Sequence, residues 1–415
     1  MTSQVGEFVT FAKGKPPKET FEQAAAGLLP YLSPEYLRGE SAPLWVRPAA
    51  NAVHVSDGES IILWDGSNAG EIFRAKNGVL ASTMAVVRPE DSDLDSDYLG
   101  FALKLHEERL RGFTAGSGIP HVDKTIVKRL PFRKPDITDQ QAIAAALGVA
   151  NTNLAATQAA IVAAERLQMG LMRELLSGRM RADGKLRTNE DLAPHPKLGL
   201  VPKGWNVEPL KKVAEIQRGR FSHRPRNEPR FYGGPHPFIQ TGEVSSSRGY
   251  IRSHNQTLTD AGAAISRLFP KGTVFISIVG ANVAKAAIAS YDVYAPDSLI
   301  GMIPTGRVEP EFLELWLRLN QTRLALLAGD SARENLNYTI LKPRLIAFPE
   351  SGTEQREIGG CIYDLERLIE AKRAKIAALQ RLKKSLMQNL LTGRMRLSAE
   401  TIAALNAPAI LPAAP

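Results

Sequence analysis

The sequence predicts an α+β protein: two strand-rich α/β domains separated by two long helices that pair as a coiled coil, in a pseudo-twofold internal repeat. Three observations predict it. One stretch is written twice: Glu165 to Arg181 (ERLQMGLMRELLSGRMR) and Gln380 to Arg396 (QRLKKSLMQNLLTGRMR) lie 215 positions apart (380 − 165) and agree at ten of seventeen positions. Each copy closes a heptad run long enough to form a rod. Each rod follows a segment of short apolar runs set between turn residues. A repeat on this scale is one module used twice, fit to touch a ligand at two places or to hold two copies of a partner.

The bulk composition narrows the possibilities. A length of 415 residues supports two or three domains, and 44% hydrophobic with 23% charged residues is globular protein with material for real cores. A net charge of +9 favours a polyanionic partner, although charge speaks to association rather than to fold. Cys361 is the single cysteine, so there is no disulfide framework and a reducing compartment is expected. Among Ile358, Ile362 and Leu365 it reads as a small buried hydrophobe rather than a nucleophile. The first twenty residues lack the apolar core of a signal peptide, and no long uncharged apolar run occurs. No membrane span is expected, and the cytoplasm is the expected location.

Taken in order, residues 1–135 form the first mixed domain. Residues 60–64 and 84–87 read as strands because Asp57-Gly58, Asp65-Gly66 and Arg88-Pro89 bound them. A helix over 98–111 carries Leu99, Leu103 and Leu110 on one face. Residues 136–180 form the first long helix, opened by Thr138 and Gln141 at capping-box spacing. Ile143, Leu147, Ala150, Leu154, Ile161, Ala164, Leu171 and Leu175 recur in steps of four and three, with Thr157 and Gln168 completing the seam. Such a helix is a rod roughly 60 Å long, and Gly178 is its expected stop.

Residues 181–203, polar and rich in proline and glycine, read as a linker. Residues 204–349 form the second mixed domain, with strands over 273–279 and 299–303 and a helix over 311–327. Residues 350–396 form the second long helix, opened by Ser351 and Glu354. Its seam (Ile358, Ile362, Leu365, Ile369, Ile376, Leu379, Leu386, Leu390) repeats the first at a constant offset of 215, and Lys372 and Lys383 stand where Thr157 and Gln168 stood. The tail, 397–415, is expected to be loose. The mixed domains also correspond: Gly58, Gly66 and Asn68 match Gly272, Gly280 and Asn282 at an offset of 214.

The densest basic stretch is 217–232, with Arg218, Arg220, Arg224, Arg226 and Arg230 interleaved with Phe221, Phe231 and Tyr232. Gly219, Pro225 and Pro229 make it a loop. Arginine suits a duplex twice over, as a charge on phosphate and as a two-donor fork on guanine. The equivalent loop of the first domain is also basic, with Lys13, Lys15 and Lys18. His121, Ser247, Arg248, Arg333 and Asn335 are further DNA-contact candidates, weighed evenly against roles in turns and helix caps. At the rod ends Met172, Leu175, Leu176, Met387, Leu390 and Leu391 exceed what one seam needs. They predict a second exposed stripe for partner docking, with packing against the adjacent domain as the alternative.

The arrangement of domain, proline, glutamine and rod carries a family resemblance. Pro135 and Gln140, then Pro349 and Gln355, open the rods; each rod ends Leu-Leu-Ser/Thr-Gly-Arg (175–179 and 390–394), and residues 236–244 read HPFIQTGEV. This resembles the specificity subunit of type I restriction-modification systems, over nearly the whole chain. The resemblance implies a DNA-reading protein without catalysis of its own. Two target-recognition domains would each read half of a split site in double-stranded DNA. The rods would pair antiparallel, set the gap, and dock two methyltransferase subunits, and two motor-nuclease subunits would add ATP-dependent translocation and cleavage. No cofactor is expected on this chain; S-adenosylmethionine, ATP and Mg are expected on those partners. One departure stands out: the lead-in containing Trp205 has no counterpart before Val5, which leaves two readings open, an abbreviated first domain or a misassigned start.

Two other readings compete. A non-catalytic adaptor whose rods dimerise protein partners would not need a basic loop in each domain. A self-contained enzyme would need motifs that are missing: no Gly-x4-Gly-Lys-Ser/Thr loop, Asn-Pro-Pro-Tyr or His-Glu-x-x-His occurs, and Asp183-Gly-Lys185 alone makes no nuclease.

Overall fold

The computed structural model describes residues 3–112, 120–222, 228–328 and 336–406. It divides into two compact units: Met1–Gln158 with Ala374–Pro415, and Ala159–Arg373. The long helices run Ile137–Leu176 and Gly352–Leu390, and each is shared between the units. In the first unit Ile143, Ala144 and Leu147 share a core with Met387, Leu390 and Leu391. In the second, Met172, Leu175 and Leu176 share one with Ile358 and Ile362. The start of one helix meets the end of the other both times, so the pairing is antiparallel. Ile358, Ile362 and Ile369 are buried while Asp364, Arg367 and Leu368 between them are exposed, as a coiled-coil seam requires. An ion pair from Arg373 to Glu165 crosses between the helices in the second unit.

The helix starts differ in detail. Ser351 Oγ accepts the Glu354 N–H at 3.5 Å, capping the second helix as its sequence predicts. The first ladder already begins at Asp136, whose carbonyl accepts the Gln140 N–H at 3.0 Å. Thr138 therefore lies inside the first turn and is not the N-cap.

In the first unit the strands are β1 (Ser3–Gln4), β2 (Val9–Lys13), β3 (Leu29–Leu32), β4 (Leu44–Val46), β5 (His54–Val55), β6 (Ser60–Leu63), β7 (Ile72–Arg74), β8 (Gly78–Leu80), β9 (Met84–Pro89) and β10 (Pro131–Phe132). One sheet has the order β2-β9-β6-β7 and the other β4-β3-β8-β5, while β1 pairs with β10. Alternation along β6 explains its unbroken apolar run. Ile61 and Leu63 join Leu32, Leu80 and Val86 between the sheets, whereas Ile62 faces Leu99, Leu103 and Leu147 on the helical side. A strand covered on both faces has no polar face to show.

The second unit contains β11 (Leu192–His195), β12 (Gly199–Pro202), β13 (Trp205–Pro209), β14 (Ala214–Arg218), β15 (Tyr232–Phe238), β16 (Tyr250–Ile251), β17 (Gln256–Leu258), β18 (Arg267–Phe269), β19 (Val274–Ser277), β20 (Ala286–Ala289), β21 (Val293–Ala295), β22 (Leu299–Pro304) and β23 (Leu345–Pro349). Its sheets, β14-β22-β19-β20-β16 and β17-β15-β21-β18, repeat the plan of the first unit. Even the parallel pair recurs, β3 on β8 and β15 on β21. The addition is β16, a fifth strand laid parallel on β20. In the first unit β7, the counterpart of β20, is an edge.

Other expectations need correction or refinement. The stretch 181–203 holds the antiparallel hairpin β11-β12, registered from Leu192 on Pro202 to His195 on Gly199; four-residue strands containing proline carry no readable period. The tail contains a helix, Ala399–Asn406, with Ser398 Oγ accepting from the Thr401 N–H at 3.1 Å. The helices over 98–111 and 311–327 are each broken, at His106 between Ser96–Leu105 and Glu107–Gly112, and at Asn320 between Pro310–Leu319 and Gln321–Leu326. Those breaks lie 214 positions apart (320 − 106). Cys361 is exposed, because the seam turns Ile358 and Ile362 inward and one residue is about 100° of rotation. The lead-in strand of the first unit is present but short: β1 matches two residues of β10, where β13 matches five of β23.

Candidate nucleic-acid interface

Two basic turns occupy repeat-related places, and a glycine fixes each. β2 runs into Gly14, where a Cβ would stand 2.1 Å from the Ala81 carbonyl oxygen; β14 runs into Gly219, where it would stand 2.1 Å from that of Pro296. No side chain fits at either place, so the chain must turn on glycine with its neighbours directed elsewhere. Those neighbours are cations: Lys13 and Lys15 around Gly14, Arg218 and Arg220 around Gly219.

The second turn is the more built. Arg218 donates through Nε to the Asp297 carbonyl, and Arg220 donates through Nε and Nη2 to the Ser266 carbonyl at 3.3 and 2.9 Å. Arg267 on β18, which nothing in the sequence pattern singles out, donates to the Arg218 carbonyl at 2.7 Å. Three guanidinium groups thus gather at one corner, and each retains donors beyond those it spends on carbonyls. Arg230 is exposed, ion-paired with Glu228 at 2.7 Å and 4.7 Å above the Phe231 ring. Of the interleaved aromatics, Phe221 and Phe231 are buried with Phe238 and Leu258, and Tyr232 is half-buried against them. Arg224, Arg226, Arg333 and Asn335 lie outside the described residues.

In the first unit Lys13 pairs with Asp65 at 2.7 Å, and Asp65 bridges to His121, so the fold brings Lys13 and His121 together. Lys15 and Lys18 are exposed beyond the turn. Ser247 and Arg248 stand apart from the arginine corner. Ser247 closes the helix Thr241–Ser246, its N–H on the Glu243 carbonyl at 3.1 Å. Both precede β16, at the opposite edge of the sheet from β14. Four strand spacings put those edges roughly 19 Å apart.

The rod ends do not form the exposed stripe. Met172, Leu175 and Leu176 are buried with Leu210, Val213 and Ile346; Met387, Leu390 and Leu391 are buried with Val127, Leu130 and Ile143. The surplus leucines fasten the end of the first rod to the second domain and the end of the second rod to the first domain, as well as each to the other rod. The apolar side chains left exposed on the helices include Leu167 (55%) and Leu382 (52%), repeat-related at the offset of 215. Their signal was in the duplicated stretch, as leucines off the seam.

The proline–glutamine spacing has a mechanical meaning. Gln140 is buried; its Nε2 donates to the carbonyls of Pro135 (2.8 Å) and Asp93 (3.0 Å), and its Oε1 accepts the Asp95 N–H at 2.9 Å. Gln355 repeats this with Pro349 (2.8 Å), Arg307 (3.0 Å) and the Glu309 N–H (2.7 Å). One amide saturates three backbone groups that burial would otherwise strand, locking each rod to the domain before it. Among the described residues no cluster of three His, Cys, Asp or Glu could hold a metal, and no helix is long and apolar enough to cross a membrane.

Comparison with known proteins agrees with this geometry. Residues 1–161 and 202–381 match the type I restriction modification DNA specificity domain. The chain is 28% identical over 410 residues to the type I restriction enzyme MjaVIII specificity subunit of Methanocaldococcus jannaschii, covering 95% of this chain and 92% of that one. The MjaIX specificity subunit of the same organism is 25% identical over 197 residues, covering 46% and 45%. The fold matches the crystal structure of a type I restriction-modification system S subunit from M. genitalium with a TM-score of 0.60 at 15% identity, covering 94% and 96% of the two chains. It matches a chain from a study of complex assembly and conformational transition of the type I system with a TM-score of 0.56 at 16% identity, covering 94% and 98%. The protein therefore belongs to the type I restriction-modification DNA specificity family, the non-catalytic DNA-recognition component of such systems.

Proposed function

We propose that this chain reads a bipartite target in double-stranded DNA, one half-site per unit, and recruits two adenine-methyltransferase subunits and two motor-nuclease subunits. Residues 1–135 and 204–349 are the target-recognition domains. The observation that carries this reading is the doubled turn, Lys13-Gly14-Lys15 and Arg218-Gly219-Arg220, in which packing forces glycine and leaves a cation on either side. Cations on phosphate make affinity fall steeply with salt, and the arginine corner supplies forks for base edges. Leu167 and Leu382 offer each methyltransferase subunit an equivalent apolar hold. S-adenosylmethionine, ATP and Mg belong to the partners, and the complex works on DNA in the cytoplasm.

The test is to co-express the chain with its methyltransferase subunit and map methylated adenines across the host genome. A two-part motif with a fixed gap, its halves about one helical turn apart, is expected. A single continuous motif would confine recognition to one unit. An assembled complex that methylates nothing would replace this reading with that of a protein-binding scaffold.

A further inference from the structure

The repeat fills one crevice and leaves its counterpart open. In the second unit the crevice between the helix Pro310–Leu319 and the second long helix is packed with polar side chains. Glu314 is fully buried, held by Arg318 through Nε and Nη2 at 3.0 Å each and by the Tyr363 hydroxyl at 2.8 Å. Arg318 also donates to Glu366 at 2.9 Å, and Tyr250 on β16 tilts against Tyr363 with ring centroids 5.6 Å apart. A phenol and a carboxylate, clasped by a cation, fill this space.

At the offset of 214 in the domain helix, Glu314 and Arg318 become Gly100 and Lys104; at 215 in the long helix, Tyr363 and Glu366 become Gly148 and Asn151. The strand carrying Tyr250 has no counterpart beyond β7. What remains in the first unit is a cavity of about 500 Å³, lined by Phe73, Arg74, Phe101, Gly148 and Lys383 among others. That volume is within the range of small-molecule sites. Arg74 is committed to Asp97 and the Ser96 carbonyl, and Lys104 to Glu107 and the Ile72 carbonyl. Lys383, on the inner face of the second long helix, has no ion pair or hydrogen bond among the described residues. Burial and the neighbouring Lys104 push its ammonium below the usual lysine range, with Glu107 opposing.

We propose that this cavity binds a carboxylate carried beside an aromatic ring, with Lys383 as counter-ion and Phe101 as the wall against the ring. The second unit shows which chemistry completes the site, because its own Glu314 and Tyr363 occupy the equivalent space. The inference does not depend on how the chain reads DNA.

The test is a fluorine-NMR titration of the full chain with 4-fluorobenzoate. One saturable site is expected. Binding should weaken about tenfold in Lys383→Met, which removes the charge-assisted contact. It should vanish in Gly148→Tyr, which restores the side chain of the other unit at a position where a Cβ meets nothing within 4 Å. Competition then identifies the source. Displacement at lower concentration by an end-capped Glu-Tyr dipeptide marks an acidic protein segment as the ligand; displacement at lower concentration by 4-hydroxybenzoate marks a free aromatic acid. No saturation at millimolar probe, or binding unchanged in both variants, overturns the proposal.

Discussion

The two units share a plan and differ in how they close one crevice. In the second, Glu314, Arg318, Tyr363 and Glu366 form a buried polar network and β16 covers the sheet edge. In the first, two glycines stand where Glu314 and Tyr363 would be, and the edge strand β7 is guarded differently. Its Ile72 N–H is taken by Glu107 at 2.8 Å and its Ile72 carbonyl by Lys104 at 3.0 Å. Side chains here satisfy an edge that a whole strand satisfies in the repeat, and so discourage pairing with another chain. By contrast the two glutamine clamps are the same, bond for bond. Duplication has kept the contacts that saturate the backbone and let the side-chain filling diverge.

The largest effect should come from breaking the buried network. Arg318→Met leaves Glu314 buried without its cation and should cost about 3–5 kcal/mol. Lys104→Met, whose side chain is 40% exposed, should cost less than about 1 kcal/mol. Urea unfolding measures both, and equal losses would erase the distinction between the units. Next come the clamps: Gln140→Leu and Gln355→Leu should each cost about 3 kcal/mol, and by similar amounts, since each strands the same three backbone groups. A large inequality in their urea midpoints would show that the shared geometry hides unequal roles.

The turns should separate the units more mildly. Replacing Arg218 and Arg220 by alanine should weaken DNA binding about tenfold and lower the salt slope by about one for each phosphate no longer neutralised. Replacing Lys13 and Lys15 should weaken it less, because a lysine offers no planar fork. Binding titrations over a range of salt decide the order. The smallest effect concerns the break in the domain helix, His106 in one unit and Asn320 in the other. Burial holds the His106 ring below its usual 6.5, against the opposing pull of the Pro131 carbonyl. Stability from the neutral ring is present above that usual value and is lost as pH falls toward the folded one. Thermal melts of the parent should therefore lose more between about pH 7 and pH 5 than melts of His106→Asn, which borrows the residue of the other unit.

Much of this architecture was legible because it is periodic. The seam steps and the twofold offset announce themselves by spacing, and the strands at β6, β9, β19 and β22 by their short apolar runs. Residues whose meaning depends on distant chain were not legible in the same way. Gln140 and Gln355 stand out as a motif, yet the carbonyls they hold come from Asp93 and Arg307, over forty positions earlier. The six rod-end residues have the composition of a docking stripe, and only the packing of Leu210 and Leu130 over them shows where they go. Arg267 joins the arginine corner through strand order alone.

Because each long helix is divided between the units, the order of synthesis matters to them differently. The second unit is one unbroken segment, so a ribosome delivers it whole. The first must wait: Val127, Leu130 and Ile143 emerge early, but Met387, Leu390 and Leu391, which complete their core, come only after every residue of the second unit. Contacts so distant in sequence form slowly and leave apolar surface uncovered meanwhile. The first unit is thus made first and finished last, and it is the part of the nascent protein most in need of a chaperone.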